Sequence, residues 1–226
     1  QVTYGRLRRT NVDVANACDR CEPGDRIPVG NIVSSHSGSN DNAAIGLEKN
    51  AFENRSDETV LRLPCGEYYL SEITSDERVT IVADGRTALY VDGDVTVGNN
   101  LTIKPTPTGE LDIFVSGEVY LDNMSEIGDP AYPASTRLYI GGQQGFQLQD
   151  NARLGAYVYA VPGGVTADDS LSVYGGVYAQ FVKAGNDLRV HYDRGVLKAG
   201  KNCTPIEPEV PNPKLDAGTG DGGRSD

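Results

Sequence analysis

The sequence predicts an all-β, single-domain parallel β-helix of about six coils, expected to be right-handed, with an N-terminal cap helix and extended termini. Three observations predict it. From Val60 to Leu197 one theme recurs: an apolar-alternating triplet, a Gly corner, a second triplet, a pair of amide or acid residues, and a third triplet. Its period of about 20 to 25 residues, with three short strands in each, is that of a solenoid whose coils stack roughly 4.8 Å apart. The composition is 38% hydrophobic with no Trp and four Phe. That is thin for a globular sandwich but sufficient for a narrow solenoid, whose axis each coil fills with a few aliphatic side chains.

The copies are legible one by one. Leu89-Tyr90-Val91, Gly93, Val95-Thr96-Val97, Asn99-Asn100 and Leu101-Thr102-Ile103 form the clearest. Ile113-Phe114-Val115, Gly117, Val119-Tyr120-Leu121 and Asp122-Asn123 follow, closed by Ile127. Fainter copies begin at Leu138-Tyr139-Ile140, Val158-Tyr159-Ala160 and Val177-Tyr178-Ala179, and an earlier one at Leu61-Arg62-Leu63.

Four regions result. Residues 1–41 alternate at Val2, Tyr4, Leu7, Val12 and Val14 and read as a strand-like segment ending in the polar loop Ser34 to Asn40. Residues 42–59 read as a cap helix, started by Asp41 or Asn42 and carrying Ala44, Ile45, Leu47 and Ala51-Phe52. Such a helix would cover the raw end of the coil that begins at Val60. Residues 60–197 are the β-helix, and residues 198–226 form a Pro- and Gly-rich tail too poor in apolar groups to fold alone. The tail is either a spacer or an arm that orders against another subunit. Two turn-rich insertions, Lys104 to Glu110 and Gly128 to Ser135, should gather on one edge of the solenoid.

The formal net charge of -12 excludes nucleic acid and anionic lipid as natural partners, since both demand a basic surface. No apolar run is long enough to span a bilayer. The chain starts at Gln1 rather than Met, which reads as a processed, secreted product at the cell surface. Cys18, Cys21, Cys65 and Cys203 are the disulfide candidates, with three connectivities open. They imply an oxidising compartment. Cys18-Asp19-Arg20-Cys21 has no second half at zinc-ligand spacing, so neither a metal nor a cofactor is expected.

One column stands out. The central residue of each first triplet should point outward, which stacks Tyr90, Phe114, Tyr139, Tyr159 and Tyr178, headed by Arg62, into a contact stripe. It is covered by the chain's own termini, by another subunit, or by carbohydrate. The amide and acid pairs, Asn99-Asn100 through Asn186-Asp187, read as corner residues suited to left-handed backbone rather than as calcium ligands. Catalysis is not expected: the outward third-strand column offers only Thr102, Glu126, Arg153, Ser172 and Arg189, with Glu126 and Arg153 as a surface ion pair.

Gly-Asp-Val-Thr-Val at 93 to 97, Gly-Gly-Val-Tyr-Ala at 175 to 179, Leu-Arg-Val-His-Tyr-Asp at 188 to 193 and Leu-Pro-Cys-Gly-Glu-Tyr-Tyr-Leu at 63 to 70 resemble an uncharacterised β-helical domain. That domain occurs in surface and pilus-associated proteins of Gram-negative bacteria. More distantly the chain is similar to the bactofilins, β-helices that polymerise end to end, although those are cytoplasmic and lack this cysteine set. The resemblance implies an extracytoplasmic, non-enzymatic role and carries over no catalytic residue. The expected function is therefore a secreted structural β-solenoid, a homo-oligomer or polymer forming the building block of a cell-surface filament. The alternatives are a surface adhesin or glycan-binding module using the two insertions and, last, a polysaccharide-active enzyme.

Overall fold

The computed structural model describes residues 26–123, 125–193 and 195. Two short helices, α1 (Val29–Ser35) and α2 (Asn42–Ile45), precede the strands. The first coil is β1 (Thr59–Leu63), β2 (Gly66–Leu70) and β3 (Ile73–Ser75), and the second is β4 (Val79–Ala83), β5 (Arg86–Val91) and β6 (Val95–Val97). The third is β7 (Leu101–Pro105), β8 (Glu110–Val115) and β9 (Val119–Leu121). The fourth is β10 (Glu126–Gly128), β11 (Thr136–Ile140) and β12 (Gly145–Leu148), with a 3-10 turn at Pro133–Ser135. In the fifth and sixth coils the first two strand positions fuse, giving β13 (Ala152–Ala160) with β14 (Gly164–Ala167), and β15 (Leu171–Ala179) with β16 (Val182–Ala184). Strand β17 (Leu188–Tyr192) opens a seventh coil.

Every strand pairing is parallel, and each strand lies under its counterpart in the next coil, as a β-solenoid requires. Because β13 and β15 run through two columns, those faces merge into one 11-stranded sheet; the third strands make a separate 6-stranded sheet. The inward residues of successive coils meet in register, as in Leu89 beside Ile113 and Ile113 beside Leu138, all nearly inaccessible to water. Each such side chain contributes about 1.5–3 kcal/mol, so stability accumulates coil by coil. Close approach of coils sets some corners: Gly145 has φ +74, and a Cβ there would lie 2.2 Å from the Gly164 carbonyl oxygen.

The N-terminal expectations need correction. The alternating residues of the strand-like reading, Val2 to Val14, lie outside the described residues; within the described part of 1–41, Val29, Ile32 and Val33 form one face of a helix, α1, with Val29 and Val33 buried. Residues 1–25 lie outside the described part. The cap helix of residues 42–59 is a single turn, since Gly46 leaves it in the left-handed region at φ 65. Asn42 is occupied elsewhere: its Nδ2 donates to the Tyr69 carbonyl at 2.7 Å and its Oδ1 accepts from the Tyr69 amide at 2.9 Å. The side-chain amide thereby imitates a neighbouring strand. Covering the first coil falls to the turns that follow, where Phe52 is buried and Leu47 and Ala51 pack against the core. The Thr74 amide donates to the Phe52 carbonyl, and the Arg55 amide to the Thr74 carbonyl, each at 2.9 Å.

Candidate interaction surfaces

The aromatic column exists and is a continuous stack. Ring centroids are 5.3 Å apart for Tyr90 and Phe114, 4.6 Å for Phe114 and Tyr139, 6.3 Å for Tyr139 and Tyr159, and 5.7 Å for Tyr159 and Tyr178. Parallel pairing at one rung per coil imposes this spacing, which suits offset stacking. Its head is Tyr69, which pairs with Tyr90. Arg62 is not in the column; it pairs with Val82 in another strand column, because the first coil's matching triplet is Tyr68-Tyr69-Leu70.

Most of the stack is covered by the chain itself. Residues 27–42 run along it as a strap, opposite to the direction of coil stacking. The Ile27 amide donates to the Tyr159 hydroxyl at 2.9 Å, Val29 and Val33 pack with Tyr69 and Tyr90, and the His36 ring stacks on Tyr90 at 3.8 Å. His36 Nδ1 lies 2.8 Å from the Ile32 carbonyl, and Nε2 lies 3.6 Å from the Glu67 carboxylate. Asp41 then bonds Glu67 at both ends, through its amide to the Glu67 carbonyl and through Oδ2 from the Glu67 amide. Burial, reinforced by the charges of Glu67 and Asp112, pushes the Tyr90 phenol up to about 12. Burial also raises Tyr139. At the far end the cover stops: Tyr178 is 48% exposed. A groove of about 470 Å³ opens there between Tyr139, Tyr157, Tyr159, Val177, Tyr178 and Tyr192.

The two ends of the solenoid differ. At the first coil, Asp41 and Asn42 bond the outer edge of β2, and residues 52–55 bond that of β3. At the other end, among the described residues, no strand pairs with the outer edges of β16 and β17 or with the second half of β15. All five residues of β17 are exposed, and Phe181, Leu188, Val190 and Tyr192 present apolar surface to solvent.

A third feature is a cleft of about 760 Å³. The turn at 106–109 and the 129–135 insertion form its walls, and Tyr174, His191 and Tyr192 from the last two coils complete it. The structure thus brings together the two insertions singled out in the sequence. The Tyr174 and His191 rings stack at 4.5 Å, and Tyr132 on the wall is 59% exposed.

The outward column Thr102, Glu126, Arg153, Ser172, Arg189 is in register throughout. The expected ion pair of Glu126 with Arg153 is replaced by a cation-π contact, the Arg153 guanidinium lying 5.4 Å from the Tyr174 ring centre. The amide and acid pairs do occupy one corner of each coil and bond from coil to coil, as in Asn123 Nδ2 donating to the Gly98 carbonyl at 2.8 Å. They do so without left-handed backbone, which among the described non-glycine residues only Asn54 adopts. Of the four cysteines, Cys65 alone is described, half-buried at the corner between β1 and β2; Cys18, Cys21 and Cys203 lie outside the described residues.

Sequence reasoning missed a charged cluster. Arg86, Glu110, Asp112 and Arg137 alternate in sign over three coils: both arginines bond Asp112, and Arg137 also reaches Glu110 at 3.2 Å. Arg137 and Asp112 are buried, so each charge depends on its partner. Arg86 beside Glu110 and Asp112 beside Arg137 are direct strand neighbours, a signal visible once the register is set.

No helix of the described residues is long and apolar enough to cross a membrane. No curated protein and no solved structure matches the chain. One family model does, over residues 19–198, which takes in every coil. The chain therefore belongs to the family described as a domain of unknown function, DUF7305.

Proposed function

We propose that this chain is a secreted structural building block, a disulfide-locked β-solenoid that self-associates into a cell-surface filament or appendage. The observation that carries the reading is the contrast between its ends. Two of the first coil's three outer edges are bonded by the chain itself, whereas the last coil offers edges that no strand pairs with among the described residues, flanked by Phe181, Leu188, Val190 and Tyr192. Parallel edges with apolar side chains are templates for a further strand, and natural proteins leave them bare chiefly where something docks. A second copy is the occupant we favour, joined through that coil and the neighbouring exposed part of the aromatic stack.

The rest of the molecule fits a scaffold. Its buried carboxylate, Asp112, and its neighbour Glu110 are held by Arg86 and Arg137, which makes them structural ties rather than an acid and base poised over a substrate. We read the role as non-enzymatic, and we take Cys65 to join one of the three remaining cysteines in a disulfide, consistent with an extracytoplasmic site. Electron microscopy of the purified chain over a concentration series tests the proposal. Regular oligomers or fibres support it, and particles of single-chain size at every concentration count against it.

A further inference from the structure

We propose that the cleft between the two corner insertions is a carbohydrate-binding site for neutral oligosaccharides, a function separate from self-association. Its chemistry is that of a sugar site. Tyr132 and Tyr192 expose most of their surface, at 59% and 69%, and face a common cavity with the stacked Tyr174 and His191 rings. Aromatic faces bind the C–H faces of pyranose rings, and phenol hydroxyls, an imidazole and a carboxylate at the rim supply donors and acceptors for sugar hydroxyls. Asp193 provides that carboxylate; its Oδ1 accepts from the Gly195 amide at 3.0 Å, which holds the group at the cleft.

Size and shape favour an oligomer over a single ring. The cavity of about 760 Å³ extends from Glu110 in the third coil to Tyr192 in the seventh. At one rung per coil that is roughly 19 Å. The lining comes from the third, fourth, sixth and seventh coils, so a ligand that meets all of it must be several sugar units long.

Charge and backbone select the ligand class. The Asp193 carboxylate lines the cleft of a chain whose net charge is -12, which disfavours polyanionic glycans. The two insertion walls offer an extended peptide no strand edge, since the Ser135 amide and hydroxyl are already bonded to the Tyr132 carbonyl at 3.0 Å and 2.7 Å. Neither insertion is required by the coil, because β13 and β15 pass the same corner with no insertion at all. The 129–135 insertion folds across those later coils, and a Cβ on Gly175 would lie 3.4 Å from Pro133.

Calorimetric titration of the whole chain with cellohexaose, chitohexaose and mannohexaose tests the site, with polygalacturonate as the anionic control. We expect at least one neutral probe to bind in the micromolar to low millimolar range and the anion not to bind. Tyr132→Ala should weaken binding roughly tenfold. Tyr132→Phe should retain most of it, because stacking needs the ring. Tyr132 is exposed, so both variants should keep the parent melting curve; Ala131→Trp, also at an exposed position, should block the cleft by bulk. No binding of any neutral probe to about 10 mM overturns the proposal. So does binding that Tyr132→Ala and Ala131→Trp leave unchanged, or preference for the anion. Tyr192 belongs both to this cleft and to the last coil, so the titrations are run at a concentration where sedimentation shows a single species, and the variants at 131 and 132, on the insertion rather than on that coil, keep the two readings apart.

Discussion

Substituting Val33 tests whether the strap and the aromatic stack form one unit. Val33 is fully buried and Val29 nearly so, both in one apolar cluster with Tyr69 and Tyr90. Val33→Ala removes two methyl groups, each worth about 0.8 kcal/mol in transfer, and leaves a small void, so the strap should loosen by about 2 kcal/mol. Val33→Asp sets a carboxylate against an apolar surface and should release the strap, forfeiting burial of both valines, about 4 kcal/mol together. The coils themselves rest on a separate core and should persist. With no Trp in the chain, near-ultraviolet circular dichroism reports its tyrosines directly. In Val33→Asp that signal should collapse and the Tyr90 phenol should fall back toward 10, while the far-ultraviolet β signal stays. An unchanged near-ultraviolet spectrum and phenol titration in Val33→Asp would refute the reasoning.

Two further outcomes follow from the same contacts. Asp112→Ala leaves the buried Arg137 with Glu110 and the Ala134 carbonyl as its remaining partners and should cost about 2 kcal/mol in urea unfolding, whereas Arg86→Ala, at a more exposed position, should cost clearly less. Alkaline pH should destabilise the fold through Tyr90, whose folded-state value of about 12 lies above its ordinary 10.0. That contribution is whole below pH 10 and is lost as pH rises toward 12; it amounts to at most about 2 kcal/mol, and Tyr90→Phe should remove this part of the pH dependence.

Much of the fold was legible because a solenoid writes its register into the sequence. Triplets such as Leu89-Tyr90-Val91 and Ile113-Phe114-Val115 alternate in and out, and parallel stacking puts Tyr90 beside Phe114 and nowhere else. The outward column from Thr102 to Arg189 came out in register for the same reason. What failed was what the repeat does not govern. The head of the column was misplaced at Arg62 because the first coil's corner at Pro64-Cys65 shifts the matching triplet to Tyr68-Tyr69-Leu70. Helix α1 was missed because a two-turn apolar face beside a serine-rich loop gives little periodic signal, and only contact with Tyr69 and Tyr90 makes it worth forming. The Arg86, Glu110, Asp112, Arg137 cluster was hidden because its arginines lie about 25 residues from the Glu110 and Asp112 pair on β8 and meet it only across the coils. The cleft was foreseen as two insertions on one edge, but not its far wall, since Tyr174 and His191 looked like ordinary outward strand residues.

The central claim is that the last coil is where copies join. Sedimentation velocity over a wide concentration range, comparing the parent chain with the double variant Leu188→Lys, Val190→Lys, tests it most directly. Both side chains are about half exposed but continue the column of Leu171 and Val173, so the variant's melting curve is recorded beside the parent's to show that the charges act on assembly. The account predicts assembly in the parent that grows with concentration and a monomer in the variant. A parent that stays monomeric at every concentration, with or without residues 198–226, or a variant that assembles as the parent does, would contradict it.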